Sequence, residues 1–174
     1  MNIRQANLED AEEMTRVEIQ SKAQSIPELV SPIEIDFVRR LERWRTYLRG
    51  ESFPQMAKAE RVAFKACIGP RMIGYIAGHL TARYGKDSEI ESFYILQDHQ
   101  RKGTGRKLLQ RFVEWAQQHE ARSLCVGIAA RNPYQAFYLK YGGKHLNPHW
   151  IYWDDLAALW ERTGERNKPW GDPR

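Results

Sequence analysis

Hydrophobic positions along the chain change period between residues 89 and 116. From Glu89 the order is Glu-Ile-Glu-Ser-Phe-Tyr-Ile-Leu, whose length and aromatic, β-branched second half predict a strand. Farther on, Leu108, Leu109, Phe112, Val113 and Ala116 recur at helical spacing and predict a helix buried along that one face. Before this pair, residues 2–6 read as a short strand with Ile3 buried. Asn7 caps a helix running to about residue 23, with Leu8, Ala11, Met14 and Val17 or Glu18 on its inner face. Ser31-Pro32-Ile33-Glu34 is a capping box with proline in the first helical position. It predicts a second helix as far as Gly50, with Phe37, Val38, Leu41, Trp44 and Leu48 inward. Strands follow over 61–68 and 72–79, joined by the turn Gly69-Pro70-Arg71. Gly74 and Gly78 inside the second predict a bulge or a close backbone approach. After the 104–118 region come a strand over 122–128, a short helix opened by Asn132-Pro133, a strand over 144–152 with Trp150 and Tyr152 on one face, and a helical turn or two over 154–162. This order, β-α-α-β-β-β-α-β-α-β, makes a mixed α/β domain of the α+β type. It is expected to fill residues 1–162 as one unit, with 163–174 as a polar, proline-bearing tail.

The turn between the central strand and its helix carries the chemistry. Gly103 and Gly105 stand there, flanked by Arg101, Lys102, Arg106 and Lys107. A strand feeding a glycine turn that opens a helix is a phosphate cradle: free N–H groups and the helix dipole favour an anion, and glycine leaves room for its approach. It is not a Walker loop, because Arg106 and Lys107 follow Gly105. Nor is it the dinucleotide fingerprint, because Leu108 stands where a third glycine or alanine belongs. The pattern is Gln-x-x-Gly-x-Gly from Gln100.

Composition narrows the rest. The chain has 174 residues, 42% hydrophobic and 28% charged, as expected of a soluble globular domain. It contains no apolar run long enough to span a membrane and opens without a signal-peptide apolar region. Cys67 and Cys125, far apart and inside expected strands, read as buried reduced thiols, so the expected location is the cytoplasm. The net charge of +5 is local: residues 98–111 hold five Lys/Arg against one acid, and so do residues 39–49. A polyanionic ligand on the glycine turn explains the first cluster, and the second reads as a solvated helix face. The five histidines show no metal-ligand spacing, so no metal is expected.

The Gln100–Gly105 pattern resembles the pyrophosphate loop of the GNAT superfamily of acetyl-CoA-dependent N-acetyltransferases. A second stretch, from Asn132 through Phe137-Tyr138 to Gly142-Gly143, resembles that superfamily's Asn…Phe-Tyr…Gly segment. Ile3-Arg4-x-Ala6…Asp10-Ala11 resembles its opening, and Ile151-Tyr152-Trp153-Asp154-Asp155-Leu156 its closing strand. The resemblance spans residues 2 to about 156. It implies a mixed, mostly antiparallel sheet of six or seven strands, helices on both faces, and a cleft where the fourth and fifth strands splay. It implies acetyl-CoA as co-substrate, with Arg101, Lys102, Gly103, Thr104, Gly105 and Arg106 at its pyrophosphate. Backbone groups of Phe93, Tyr94 and Ile95 would meet the pantetheine arm, Asn132 would touch the cofactor, and Tyr138 would stand near the sulfur as general acid. Glu89, eleven residues before Gln100, would act as base through water. Glu91, two residues on along the same side, would be the reserve base or an acceptor-binding carboxylate. The acceptor would be a small-molecule or peptide amine, and homodimers are common in such families. Gly143 departs from the pattern, since many members carry an aromatic after the last glycine. Two rivals stand beside this reading. One is a cofactor-binding sensor or assembly module without catalysis, against which Glu89 and Tyr138 speak. The other is a nucleic-acid-binding protein, which the net charge allows but does not require.

Overall fold

The computed structural model describes residues 1–164, and all but the first two positions of the expected tail lie outside the described residues. Its strands are β1 (Asn2–Gln5), β2 (Ala57–Ile68), β3 (Arg71–Thr81), β4 (Ser88–Ile95), β5 (Leu124–Gly127), β6 (Lys144–Asn147) and β7 (Trp150–Trp153). Its α-helices are α1 (Ala11–Ser25), α2 (Phe37–Leu48), α3 (Thr104–Gln118), α4 (Gln135–Lys140) and α5 (Leu156–Gly164). The seven strands form one sheet in the order β1-β2-β3-β4-β5-β7-β6, in which only β4 and β5 run parallel.

Each face of the sheet has its own core. Leu108, Leu109, Phe112, Val113 and Ala116 of α3 pack with Ile76, Ile90, Leu124, Val126 and Ile151 on one face. Met14, Val17, Trp44 and Tyr47 of α1 and α2 pack with Met72, Tyr75 and Ala77 on the other. Every predicted inward position of α3 is fully buried. Gly78 is where β3 and β4 slip register, so that Ile90 faces Gly78 while Ser92 faces Ala77 and Glu91 is left over as a bulge. A Cβ at Gly78 would sit 2.6 Å from the Phe112 ring, and one at Gly74 would sit 2.8 Å from the Tyr94 carbonyl. Both glycines therefore serve close approach.

Several expectations change. The capping box at Ser31 and Glu34 forms, yet it opens only a 3-10 turn (Pro32–Ile35). Asp36 then caps α2 afresh by accepting from the Arg39 N–H at 2.9 Å. Val38 points to solvent at 76% exposure, and Tyr47 takes the inner position it was assigned. Leu8 is exposed and Ile3 only half-buried. The expected strand over 144–152 is the hairpin β6–β7, broken at Pro148-His149. Glycine at 143 is required: a Cβ there would lie 2.7 Å from Ile151 and 2.9 Å from both Trp153 and the Tyr138 carbonyl.

Candidate functional site

The β4–β5 pairing lasts three rungs, from Ser88↔Leu124 to Ile90↔Val126, and then the strands part. β4 continues beside β3 as far as Gly74↔Ile95. The Leu96 N–H donates to the Ile73 carbonyl at 2.9 Å, so the ladder's alternation turns the Phe93 and Ile95 peptides toward the open side and the Tyr94 peptide toward β3. The Tyr94 ring packs among α1 and α2 residues. Of the three residues expected to offer backbone groups, two face the cleft.

At the cleft's far end the glycine turn opens α3. Arg101 and Gly103 both adopt positive φ, +58° and +85°. No side chain caps the helix among the described residues, and the first intrahelical bond runs from the Lys107 N–H to the Gly103 carbonyl at 3.1 Å. The amides of Thr104, Gly105 and Arg106 thus begin the helix without intrahelical partners. The two glycines differ in role. A Cβ at Gly103 would meet nothing within 4 Å, so space lies open above the turn. One at Gly105 would press on Ile95 and Phe137 at 3.1 and 3.2 Å, so that glycine lets α3 pack.

A cavity of about 940 Å³ joins this turn to the α1 side of the sheet. Arg101, Gly103, Gly105, Arg106, Asn132 and Tyr138 line it, as do Ser21, Lys22, Glu34 and Glu91. Lys102 and Thr104 flank the turn without lining the cavity. Tyr138 is 6% exposed, and burial pushes its hydroxyl well above the ordinary tyrosine pKa, so it carries its proton at any working pH. Asn132 accepts from the Tyr134 N–H at 2.9 Å and so shapes the entry to α4.

Glu89 and Glu91 share the α1–α2 face of β4 but differ in access. Glu91 lines the cavity and is paired with Arg43 of α2. Glu89 lies behind it, 3% exposed, with Arg83 Nε at 3.2 Å, Thr81 Oγ1 at 3.4 Å and His79 Nε2 at 3.6 Å. His79 is fully buried, and its Nδ1 lies 3.1 Å from the Tyr47 hydroxyl. His79, Glu89 and Glu91 each place a ligand atom within 4.8 Å of the others, a grouping that their sequence spacing hid. It suits a metal poorly, because Arg43 and Arg83 already neutralise both carboxylates and a divalent cation would have to displace two guanidiniums. The arrangement sets an imidazole and two carboxylates together, with Glu91 on the cavity wall.

Below the cavity lies a buried charge network. Glu18, fully buried on α1, accepts from Lys22 Nζ at 2.9 Å, from Trp44 Nε1 at 2.8 Å and from Arg40. Burial alone would raise its pKa, but Lys22, Arg40 and Arg43 outweigh that and hold it below the ordinary value. The basic cluster of residues 39–49 does not form one solvated face: Arg40 and Arg43 turn inward, while Arg39, Arg45 and Arg49 are exposed. Nothing in their local spacing marks the difference, since both partners are distant in sequence. Gln100, first residue of the glycine motif, also crosses the cleft. Its Nε2 donates to the Ile95 carbonyl at 3.0 Å and Ser25 Oγ at 3.3 Å, and its Oε1 accepts from the Tyr134 hydroxyl at 2.9 Å.

A sequence model of the acetyltransferase (GNAT) family matches residues 25–143. A Bacillus subtilis (strain 168) protein called uncharacterized N-acetyltransferase YuaI is 28% identical, covering 91% of this chain and 96% of its own length. Among solved structures, the PaiA N-acetyltransferase of Thermoplasma acidophilum in complex with coenzyme A superposes with a TM-score of 0.67 at 17% identity, over 87% of this chain and 96% of that one. An aminoglycoside 6'-acetyltransferase type Ii superposes with a TM-score of 0.64 at 15% identity, over 90% and 97%. At such identities the structural likeness is one of fold.

Proposed function

The chain belongs to the acetyltransferase (GNAT) family, and on that premise we propose that it transfers an acetyl group from acetyl-CoA to the amine of a small-molecule or peptide acceptor by direct attack. The observation that carries the proposal is the juxtaposition in one cavity of an uncapped helix start beneath open space at Gly103, a buried protonated tyrosine, and the Glu91 carboxylate.

Bound acetyl-CoA supplies a thioester whose carbonyl carbon a neutral amine can attack. The chain's own residues do the rest. The amides of 104–106, with Arg101 and Arg106 beside them, grip the diphosphate. The Phe93 and Ile95 peptides, freed where β4 leaves β5, would hydrogen-bond the pantetheine arm, and the Ile95 N–H would serve as donor to the developing oxyanion. Gln100 Nε2 holds the Ile95 carbonyl until the arm arrives.

An alkylammonium with pKa near 10.4 is neutral only on the order of one time in a thousand at pH 7, so a proton must be removed before attack. Glu91 meets the amine because it lines the cavity. Glu89, one layer behind and beside His79, takes the proton onward through water. Tyr138, kept protonated by burial, donates to the leaving thiolate. The acceptor-site name of the aminoglycoside enzyme is consistent with an amine acceptor and says no more about this one.

The test is thiol release from acetyl-CoA across a panel of amines. Turnover with at least one amine class is expected. Tight acetyl-CoA binding with no thiol release from any amine would replace this reading with that of a sensor module.

A further inference from the structure

We propose that the acceptor is a compact monoamine with an apolar body and one hydrogen-bonding group beside the amine, and that polycations are excluded. This rests on the reading that Glu91 marks where the amine sits. The cavity that Glu91 lines is also lined by the apolar Ile26, Leu29 and Val30, from the end of α1 and the turn after it. The charges linked to Glu91 cancel. Glu91 is paired with Arg43; Glu34 lies 3.7 Å from Lys22 and accepts from the Ser31 N–H; Glu18 is held by Lys22 and Arg40. Three carboxylates thus meet three cations and leave no surplus negative charge for a ligand.

A second or third ammonium entering this space would lose its hydration and find no uncompensated carboxylate in return, at a cost of several kcal/mol per ion. A single amine is in a different position. It must become neutral to react, and desolvation in a charge-balanced, partly apolar pocket lowers its pKa in the required direction.

Ser21 adds the second element of specificity. It is 3% exposed and lines the same cavity, and its hydroxyl has no hydrogen-bond partner among the described residues. A buried hydroxyl left unmet costs about 1–3 kcal/mol, so a ligand group that meets it is selected. Ser25, one turn on, is already engaged by Gln100.

The experiment is equilibrium titration of the protein saturated with coenzyme A, using leucinamide, isopentylamine and spermidine as probes. Leucinamide is expected to bind at least about tenfold more tightly than spermidine, and more tightly than isopentylamine, which lacks the amide. Ser21→Val should weaken leucinamide about tenfold and leave isopentylamine unchanged. Leu29→Glu, at a half-exposed position, should improve spermidine binding severalfold by adding the missing carboxylate. Unchanged thermal melts establish that both variants fold. Spermidine binding as tightly as leucinamide overturns the inference, and so does failure of leucinamide to bind at all. Preferential leucinamide binding without any acetyl transfer keeps the inference and overturns only the catalytic reading.

Discussion

Tyr138 and the two glutamates show what a residue's surroundings add to its type. The Phe-Tyr pair points to Tyr138 by resemblance, and the fold buries it against the Phe93, Phe137 and Trp153 rings. Burial raises its pKa, so its hydroxyl stays protonated and is present as a donor in the proposed reaction. Tyr138→Phe should therefore lower kcat by about a hundredfold or more while leaving the Kd for coenzyme A unchanged. A fully active variant would remove Tyr138 from the chemistry. The order of the two carboxylates was not legible in the sequence. Period-two spacing puts Glu89 and Glu91 on one side of β4, but which of them reaches the cavity depends on the bulge at Gly78 and on the distant partners Arg43 and Arg83. Those are tertiary facts with no local signature.

At the scale of elements, α3 was readable because its inner face from Leu108 to Ala116 is apolar, whereas α2 misled because part of its inner face is charged. Arg40 and Arg43 look like solvent-facing residues until Glu18 and Glu91 are brought to them. Their pairing ties α2 to α1 and to β4, and it gives the α1–α2 layer a pH dependence whose sign can be worked out. Glu18 has a lowered pKa in the folded state, so its contribution is fully present above the unfolded carboxylate value of about 4.3 and is lost as pH falls through the lower folded value. Thermal unfolding followed from pH 7 to pH 3 should show the melting temperature dropping in that acid window. Glu18→Gln should cost about 3–5 kcal/mol at pH 7, because Lys22 and Arg40 lose their buried counter-charge, and it should flatten the acid decline. An unaltered acid profile in the variant would show that the network does not hold the layer together.

For the whole molecule, the strand and helix order pointed to a mixed α/β domain, and the resemblance to the GNAT superfamily implied the mostly antiparallel sheet and the cleft where the fourth and fifth strands part. The split of the last strand into β6 and β7, and the lining of the cavity by α1 and the turn after it, depended on packing that periodicity does not encode. What unites the parts is one cavity lined by the glycine turn at the start of α3, by Glu91 and by Tyr138; in the proposed reading it holds the diphosphate at that turn and sets the thioester between these two side chains for attack by the amine. The most direct test is calorimetric titration of coenzyme A and of pantetheine, which lacks the diphosphate, against the native protein and Gly103→Val. The account predicts that the native protein binds coenzyme A at least about a hundredfold more tightly than pantetheine, equivalent to roughly 2.7 kcal/mol for the diphosphate and the nucleotide beyond it together. It also predicts that a valine, strained at φ +85° and filling the open space, erases most of that difference. Equal affinity for the two ligands, or an undiminished preference for coenzyme A in Gly103→Val, would contradict it.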